Sequence, residues 1–192
     1  AFLECRMHIK DLKFPPSIKK IAVGSLMNNN ITGDLVLPDN MDILVGSGNS
    51  DYGVFAHNGI ESVVIGDSYI FVGTGAFKSC SLLRHVSIGK NVDYIGEGVF
   101  RHCSALQTLV CLAEEPPVVA SETFSGVYFD RCILQVPEKS VDKYRSTAIW
   151  NQFKNITAYK ELAFNVPEIV CLDKGAVREG IIRAEGPWEV LE

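Results

Sequence analysis

The sequence has no apolar run of the roughly 20 residues that a membrane-spanning helix requires. Lysine and arginine are scattered and the net charge is −5, so a nucleic-acid partner is not expected. No two cysteines have the Cys-x-x-Cys spacing of a zinc ribbon or a thioredoxin site. These absences argue against a helical membrane protein, a basic nucleic-acid binder and the common cysteine-based sites.

Signatures of catalysis and of metal or cofactor binding are also missing. No motif such as His-Glu-x-x-His includes any of the four histidines, which are His8, His57, His85 and His102. The glycine-containing segments 46–48 and 73–75 are not followed by the Lys-Ser/Thr that completes a phosphate loop. Residues 49–51 offer oxygen ligands for calcium, but their spacing is not that of an EF-hand. We therefore expect no enzymatic activity, no metal and no cofactor.

The sequence does contain an internal repeat with a period of 23 residues. Residues 60–80 align without a gap on residues 83–103. The matched pairs are Val63 with Val86, Ile65 with Ile88, Gly73 with Gly96, Gly75 with Gly98, Phe77 with Phe100, and Cys80 with Cys103. Agreement at so many apolar and glycine positions predicts a solenoid of stacked coils.

Weaker copies of the unit lie on both sides of this pair. Strand-like starts occur at residues 12–14, 34–38, 106–111 and 132–137. In the earliest unit Leu26 takes the Phe position, and the second unit has a five-residue insertion within residues 46–53 before Phe55. An insertion at residues 114–117 displaces Phe124 by one position. The pattern predicts five units and a closing strand.

One unit combines a half-buried strand, tight turns and a buried ring. Polar and apolar residues alternate over residues 84–88, so Val86 and Ile88 should face the core. Gly96 and Gly98 are expected at bends where a Cβ does not fit. The phenylalanines should form one buried column, comprising Phe55, Phe77, Phe100 and Phe124. Because a single coil cannot bury its own edges, strands of successive coils should pair side by side.

Cys80 and Cys103 occupy equivalent places in neighbouring coils. Stacking would bring their Cα atoms to about 5 Å, within disulfide range. Side chains related by translation point the same way, however, which favours two buried free thiols over a bridge between them.

The segment after the repeats predicts a cap. Residues 140–153 have apolar side chains near helical spacing, with Ser140 as the expected N-cap. Residues 155–159 predict a last strand. Residues 161–192 differ in character and suggest several short strands.

Two motifs resemble the BspA-like leucine-rich repeats of bacterial surface proteins. These are Ile-Gly-x-Gly-x-Phe-x-x-Cys at residues 95–103, with its copy at 72–80, and Leu-x-Leu-Pro at 35–38. The resemblance covers about residues 10–160. It implies an α+β repeat solenoid, a right-handed stack of about five 23-residue β coils with a C-terminal helical cap and a short β appendage. The expected domains are a leucine-rich-repeat solenoid with its cap at 1–160 and a short β segment at 161–192. That segment's Gly-Pro-Trp-Glu-Val run at 186–190 is similar to part of a BACON-type immunoglobulin-like module, here truncated.

The resemblance also implies a function. Proteins of this kind are exported to the bacterial cell surface or secreted, and bind a protein or glycan ligand on the host or on a neighbouring cell. No membrane span is expected, and a lipid anchor in the full-length protein is compatible with this. Two alternatives remain open: a structural spacer that presents another domain, and an accessory part of a carbohydrate-processing protein.

The repeat frame identifies one candidate binding surface. Outward residues of the repeat strands should form two columns on one face of the solenoid. In the three central units the columns are Ser62, His85 and Thr108, and Val64, Ser87 and Val110. Repeat solenoids commonly bind partners on such a face. A plain solvated sheet face is the alternative.

Overall fold

The computed structural model describes residues 4–15, 17–46, 50–120 and 122–160, and it confirms the repeat solenoid. The chain divides into two compact units at Lys160, and the described residues belong to the first. The expectations for residues 161–192 therefore lie outside the described residues. The strands are β1 (Ile9–Lys10), β2 (Ile31–Val36), β3 (Ile43–Leu44), β4 (Gly59–Ile65), β5 (Phe71–Val72), β6 (His85–Ile88), β7 (Tyr94–Ile95), β8 (Thr108–Cys111), β9 (Val118–Val119), β10 (Ile133–Val136) and β11 (Asn155–Ala158).

The strands form two parallel sheets. The large sheet has seven strands in the order β1-β2-β4-β6-β8-β10-β11, and the small sheet has four in the order β3-β5-β7-β9. In the large sheet Val86 pairs with Val63 on one side and with Leu109 on the other, which is the predicted 23-residue period. In the small sheet Tyr94 pairs with Val118, a step of 24, so the insertion at 114–117 does shift the frame by one residue.

The predicted phenylalanine column is the centre of the core. Phe55, Phe77, Phe100 and Phe124 are all buried, and successive ring centroids lie 5.5, 5.9 and 5.8 Å apart with nearly parallel planes. Rings in edge-to-face contact close both ends: Phe14 packs on Phe55, and Trp150 and Phe153 pack on Phe124. Leu26 is buried in the first coil, as its place in the repeat predicts.

Glycines allow the coils to approach closely at the bend after the small sheet. A Cβ on Gly73 would lie 2.1 Å from the Gly46 nitrogen of the preceding coil. A Cβ on Gly96 would lie 2.7 Å from the Thr74 nitrogen, and Gly98 has a φ of +64°. Both repeat glycines therefore occupy positions that disfavour a side chain, as the sequence predicts.

Cys80 and Cys103 are buried free thiols, as predicted. Each thiol donates a hydrogen bond to the carbonyl of the phenylalanine one coil earlier. The Sγ–O distances are 3.3 Å from Cys80 to Phe55 and 3.2 Å from Cys103 to Phe77.

One local prediction was wrong in detail. The first strand is Ile9–Lys10 and not residues 12–14, because Asp11 turns the chain out of the sheet with a φ of +51°. The seven strands of the large sheet correspond to the five predicted units, the closing strand β10 and the last strand β11.

The cap is not one helix over 140–153. It consists of a 3-10 turn at Glu138–Ser140, an α-helix α1 at Val141–Ser146 and a second 3-10 turn at Trp150–Gln152. Ser140 is the N-cap residue of α1, but its hydroxyl donates to the Glu114 carbonyl at 2.7 Å and not to the helix. The predicted last strand is present as β11. No helix in the described part of the chain is long and apolar enough to cross a membrane.

Candidate interaction surface

The six candidate residues lie side by side on the outer face of the large sheet. Ser62, His85 and Thr108 are register partners across β4, β6 and β8. Val64, Ser87 and Val110 form the second column by the same pairing. Adjacent strands in a sheet are about 4.8 Å apart, so each column presents a side chain at that interval. The structure therefore brings together all six residues that the repeat frame selects.

Both columns continue beyond the three central strands. On one side they reach Asp34 and Val36 of β2, and on the other Ile133 and Gln135 of β10. Val36 is 59% exposed and Val64 is 40% exposed, whereas Thr108 and Val110 are half-buried. Hydroxyl and aliphatic groups therefore make up most of this surface. It carries few charges in its central part.

His85 contributes the one imidazole among the six candidate residues. Its side chain is exposed, as predicted from its outward position on the strand. The neighbouring hydroxyls of Ser62 and Thr108 are its register partners.

A cleft interrupts the large sheet at the end formed by the first coil. It has a volume of about 800 Å³, and its lining includes Asp11, Lys13, Asp34, Val36, Leu37 and Asp39. One wall is the chain segment that leaves the sheet at Asp11, and the opposite wall begins at the end of β2. Asp34 and Val36 belong to both the cleft and the two columns, so the cleft and the sheet face are continuous.

The small sheet presents a more apolar stripe. Its outward residues are Ile43, Phe71, Tyr94 and Val118, which are register partners in successive coils. Phe71 and Tyr94 stack with parallel planes and centroids 5.1 Å apart, and Val118 is 65% exposed. Sequence analysis did not identify this stripe, because a two-residue strand is too short to produce a recognisable alternation.

The described residues contain no cluster of three or more His, Cys, Asp or Glu side chains that could hold a metal ion. His57 and His102 are exposed residues of tight turns, with φ values of +58° and +61°. The exposed positions of these imidazoles agree with a solvated role. The calcium alternative falls partly on Asn49, which lies outside the described residues.

The buried thiols are poor nucleophiles. Burial raises the pKa of Cys80 to about 12 and that of Cys111 to about 11. The thiolate is the reactive form, so these groups stay protonated and unreactive near neutral pH. Cys111 also contacts the Tyr144 hydroxyl, which donates to the Ala113 carbonyl at 2.9 Å. These contacts make Cys111 part of the packing between β8 and the cap.

Comparison with known proteins gives one family match. A family model described as a BspA type leucine rich repeat region matches residues 1–128, two thirds of the chain, with six copies of the repeat. The six copies are one more than the five units that the sequence predicts. No curated protein matches the chain.

Proposed function

Because the chain belongs to the family of BspA-type leucine-rich repeat proteins, we propose that it is a binding module of a bacterial cell surface. It recognises a host protein or glycan through the outer face of its large sheet. Leucine-rich-repeat solenoids are typically binding scaffolds rather than enzymes, and this family is typically associated with bacterial surfaces. The proposal extends that general role to adhesion, export and a particular surface.

The observation that carries the proposal is the pair of in-register columns on β4, β6 and β8. Each strand is hydrogen-bonded to a neighbour on both sides, so the backbone under the columns is held in place. A rigid surface loses little conformational freedom when a partner binds. This property favours the central columns over the loops as the contact surface.

The six residues supply two kinds of contact. Ser62, Ser87 and Thr108 carry hydroxyls that can donate and accept hydrogen bonds with peptide or sugar groups. Val64 and Val110 add apolar area between them. Such a mixture suits a protein or glycan ligand that presents both polar groups and a flat apolar patch. Few charges lie in these central columns, so the part of the affinity that they contribute should change little with salt.

The location in the cell is part of the same proposal. We place the protein outside the cell, either secreted or held at the surface, with a lipid anchor as one means of attachment. The family match supports the surface association.

A double substitution tests the proposed surface. His85→Glu combined with Val64→Glu changes two outward side chains and should leave the fold intact, because neither is part of the core. Binding to any host protein or glycan selected from an array by the unmodified protein should be abolished. The measurement is the dissociation constant from surface plasmon resonance, with circular dichroism to verify folding.

A matched pair on the other sheet is the control. Tyr94→Glu with Val118→Glu adds the same two charges at exposed positions of the small sheet, and binding should be retained. If the His85 and Val64 double variant folds and binds as tightly as the unmodified protein, the large-sheet proposal is wrong. The absence of any ligand on the array would favour the spacer alternative.

A further inference from the structure

We propose that the cleft at the first-coil end of the large sheet binds a lysine or arginine side chain of an extended partner segment. An apolar side chain two residues along the same segment binds beside it. This inference rests on the proposed binding function, since it names the chemistry of a protein partner at one end of that surface. The cleft lining combines an apolar floor with an excess of carboxylates.

The shape of the cleft comes from a break in the repeat geometry. Elsewhere the chain continues as a strand of the large sheet, but Asp11 adopts a φ of +51° and directs the following residues away from β2. The separation leaves a space of about 800 Å³. Small-ligand sites commonly occupy roughly 300–1,000 Å³, so the space is sufficient for two side chains and the backbone between them.

The charges around the cleft favour a cation. Three exposed carboxylates line it, those of Asp11, Asp34 and Asp39, against the single ammonium of Lys13. Among the residues that the structure describes, none of these three carboxylates forms an ion pair with a lysine or arginine. A ligand cation would therefore meet negative charge that the protein itself does not neutralise.

Hydrogen bonds hold two of the carboxylates in position. The Asp34 backbone N–H donates to Asp11 Oδ1 at 2.9 Å, and Ser62 Oγ donates to Asp34 Oδ1 at 2.6 Å. A carboxylate can accept about four hydrogen bonds, so both groups retain capacity for a donor from the ligand. Preorganised acceptors reduce the entropy lost when a flexible cationic side chain binds.

The apolar part of the site lies one step along the same strand. Val36 is 59% exposed, and it points to the same side of β2 as Asp34 because side chains alternate along a strand. Residues i and i+2 of a strand are separated by about 6.6 Å, and the same spacing holds in an extended peptide. A peptide lying along β2 can therefore place a cation at Asp34 and an aliphatic group at Val36.

The test uses a defined peptide and nuclear magnetic resonance. The acetylated, amidated pentapeptide Ser-Lys-Thr-Val-Ser is titrated into the isotope-labelled full chain at low salt. We expect saturable shifts of the amides of Asp11, Lys13, Asp34 and Val36. A peptide with Glu in place of Lys should bind at least tenfold more weakly, and added sodium chloride should weaken the binding of the lysine peptide.

Protein variants test the role of the carboxylates. Asp34→Asn with Asp39→Asn keeps the side-chain oxygen that accepts from Ser62 but removes two charges. This double variant should bind the lysine peptide about tenfold more weakly, since each exposed ion pair contributes up to about fivefold in affinity. Asp93→Asn with Glu97→Gln removes the same charge from exposed positions flanking β7, and should leave peptide affinity unchanged.

The opposite results would overturn the inference. These are equal affinity for the lysine and glutamate peptides, no saturable shifts at millimolar peptide, or an unaffected Asp34 and Asp39 variant. A concentration-dependent dimer that dissociates in this variant would identify a second copy as the occupant, and would also overturn it. The peptide titration is independent of the array, so a failed screen and an empty cleft are separate outcomes.

Discussion

At the scale of single residues, the third position after Phe55, Phe77 and Phe100 has the same role in each coil. Cys80 and Cys103 each donate to the carbonyl at the Phe position of the preceding coil. Asn58 occupies the same position one coil earlier, and its amide nitrogen donates to the Leu26 carbonyl at 2.9 Å. Side chains of different chemistry thus make the same coil-to-coil hydrogen bond, because the backbone geometry repeats.

Asn58 has more partners than either thiol, and its loss should be costly. Its side-chain oxygen accepts from the backbone N–H groups of Asn29 and Ile31, and its nitrogen also donates to Phe55 at 2.9 Å. Asn58→Ala leaves several buried backbone groups without these partners, each costing about 1–3 kcal/mol. We expect a loss of about 3–5 kcal/mol in the free energy of unfolding, measured by urea denaturation.

Asn91→Ala is the matched control for this substitution. Asn91 is exposed, with a hydrogen bond from its side-chain nitrogen to the Asp67 carbonyl at 2.8 Å. Its replacement should cost less than about 1 kcal/mol. Equal effects of the two substitutions would contradict a special role for Asn58.

The buried thiols should make stability fall at high pH. Burial raises the pKa of both Cys80 and Cys132 from the ordinary 9 to about 12, and it also raises the pKa of Cys103. Between pH 9 and 12 the folded chain therefore keeps protons that the unfolded chain has lost. The free energy of unfolding should decrease as pH rises through this window, and the thiols should have no such effect below about pH 8.

Urea denaturation at pH 8, 9.5 and 10.5 measures this slope. Buried tyrosines should also lower the free energy of unfolding as pH rises, because burial raises the pKa of Tyr144. Cys80→Ala removes one titrating group, so its slope should be smaller by up to about 1.4 kcal/mol per pH unit. An unchanged slope in this variant would mean that Cys80 does not keep its proton in the folded state.

At the scale of elements, the coils are joined mainly by the stacked rings and by the large sheet. Phe100 lies between Phe77 and Phe124, with centroid distances of 5.9 and 5.8 Å. Its side chain is fully buried, so truncation leaves a cavity in the middle of the column. Phe100→Ala should lower the free energy of unfolding by about 3–5 kcal/mol, measured by chemical denaturation.

A surface aromatic provides the comparison for Phe100. Tyr128 is half-exposed and its ring faces the Arg131 guanidinium at 5.0 Å. Tyr128→Ala should cost about 1 kcal/mol or less, because an exposed cation–π contact is worth only about that much. A small cost for Phe100→Ala would show that the coils relax around the missing ring.

At the scale of the whole molecule, stability should differ along the stack because each coil contacts only its neighbours. Among the described strands, β1 pairs through two residues with β2 alone, whereas β6 pairs through four residues with a strand on each side. Within the described residues, no small-sheet strand precedes β3. The first coil is therefore held by the least strand pairing.

Hydrogen exchange should reveal this gradient. Amides of β1 should exchange faster than those of β6 and β8 at neutral pH, because local opening of the first coil disrupts few interactions. Mass spectrometry of peptic fragments or resonance spectroscopy can follow both regions in one sample. Uniform protection along the stack would instead indicate a single cooperative unit.

The sequence alone predicted the features that depend on a regular period. Alternation within a strand places Val86 and Ile88 inward and His85 and Ser87 outward. Translation by 23 residues then gives the Phe100 column. These features depend on neighbouring residues or on the repeat itself, so the alignment of one pair of units was enough to predict them. The six residues of the candidate surface were obtained in the same way.

Only the tertiary structure decided the features that break the period. Ile149 takes a φ of +70° and α1 ends early, in a cap where the buried Trp150 packs on Phe124 and donates from Nε1 to the Pro117 carbonyl at 2.9 Å. Asp11 turns out of the sheet and opens the cleft beside Asp34. Each of these depends on contacts between residues distant in sequence, which periodicity does not encode.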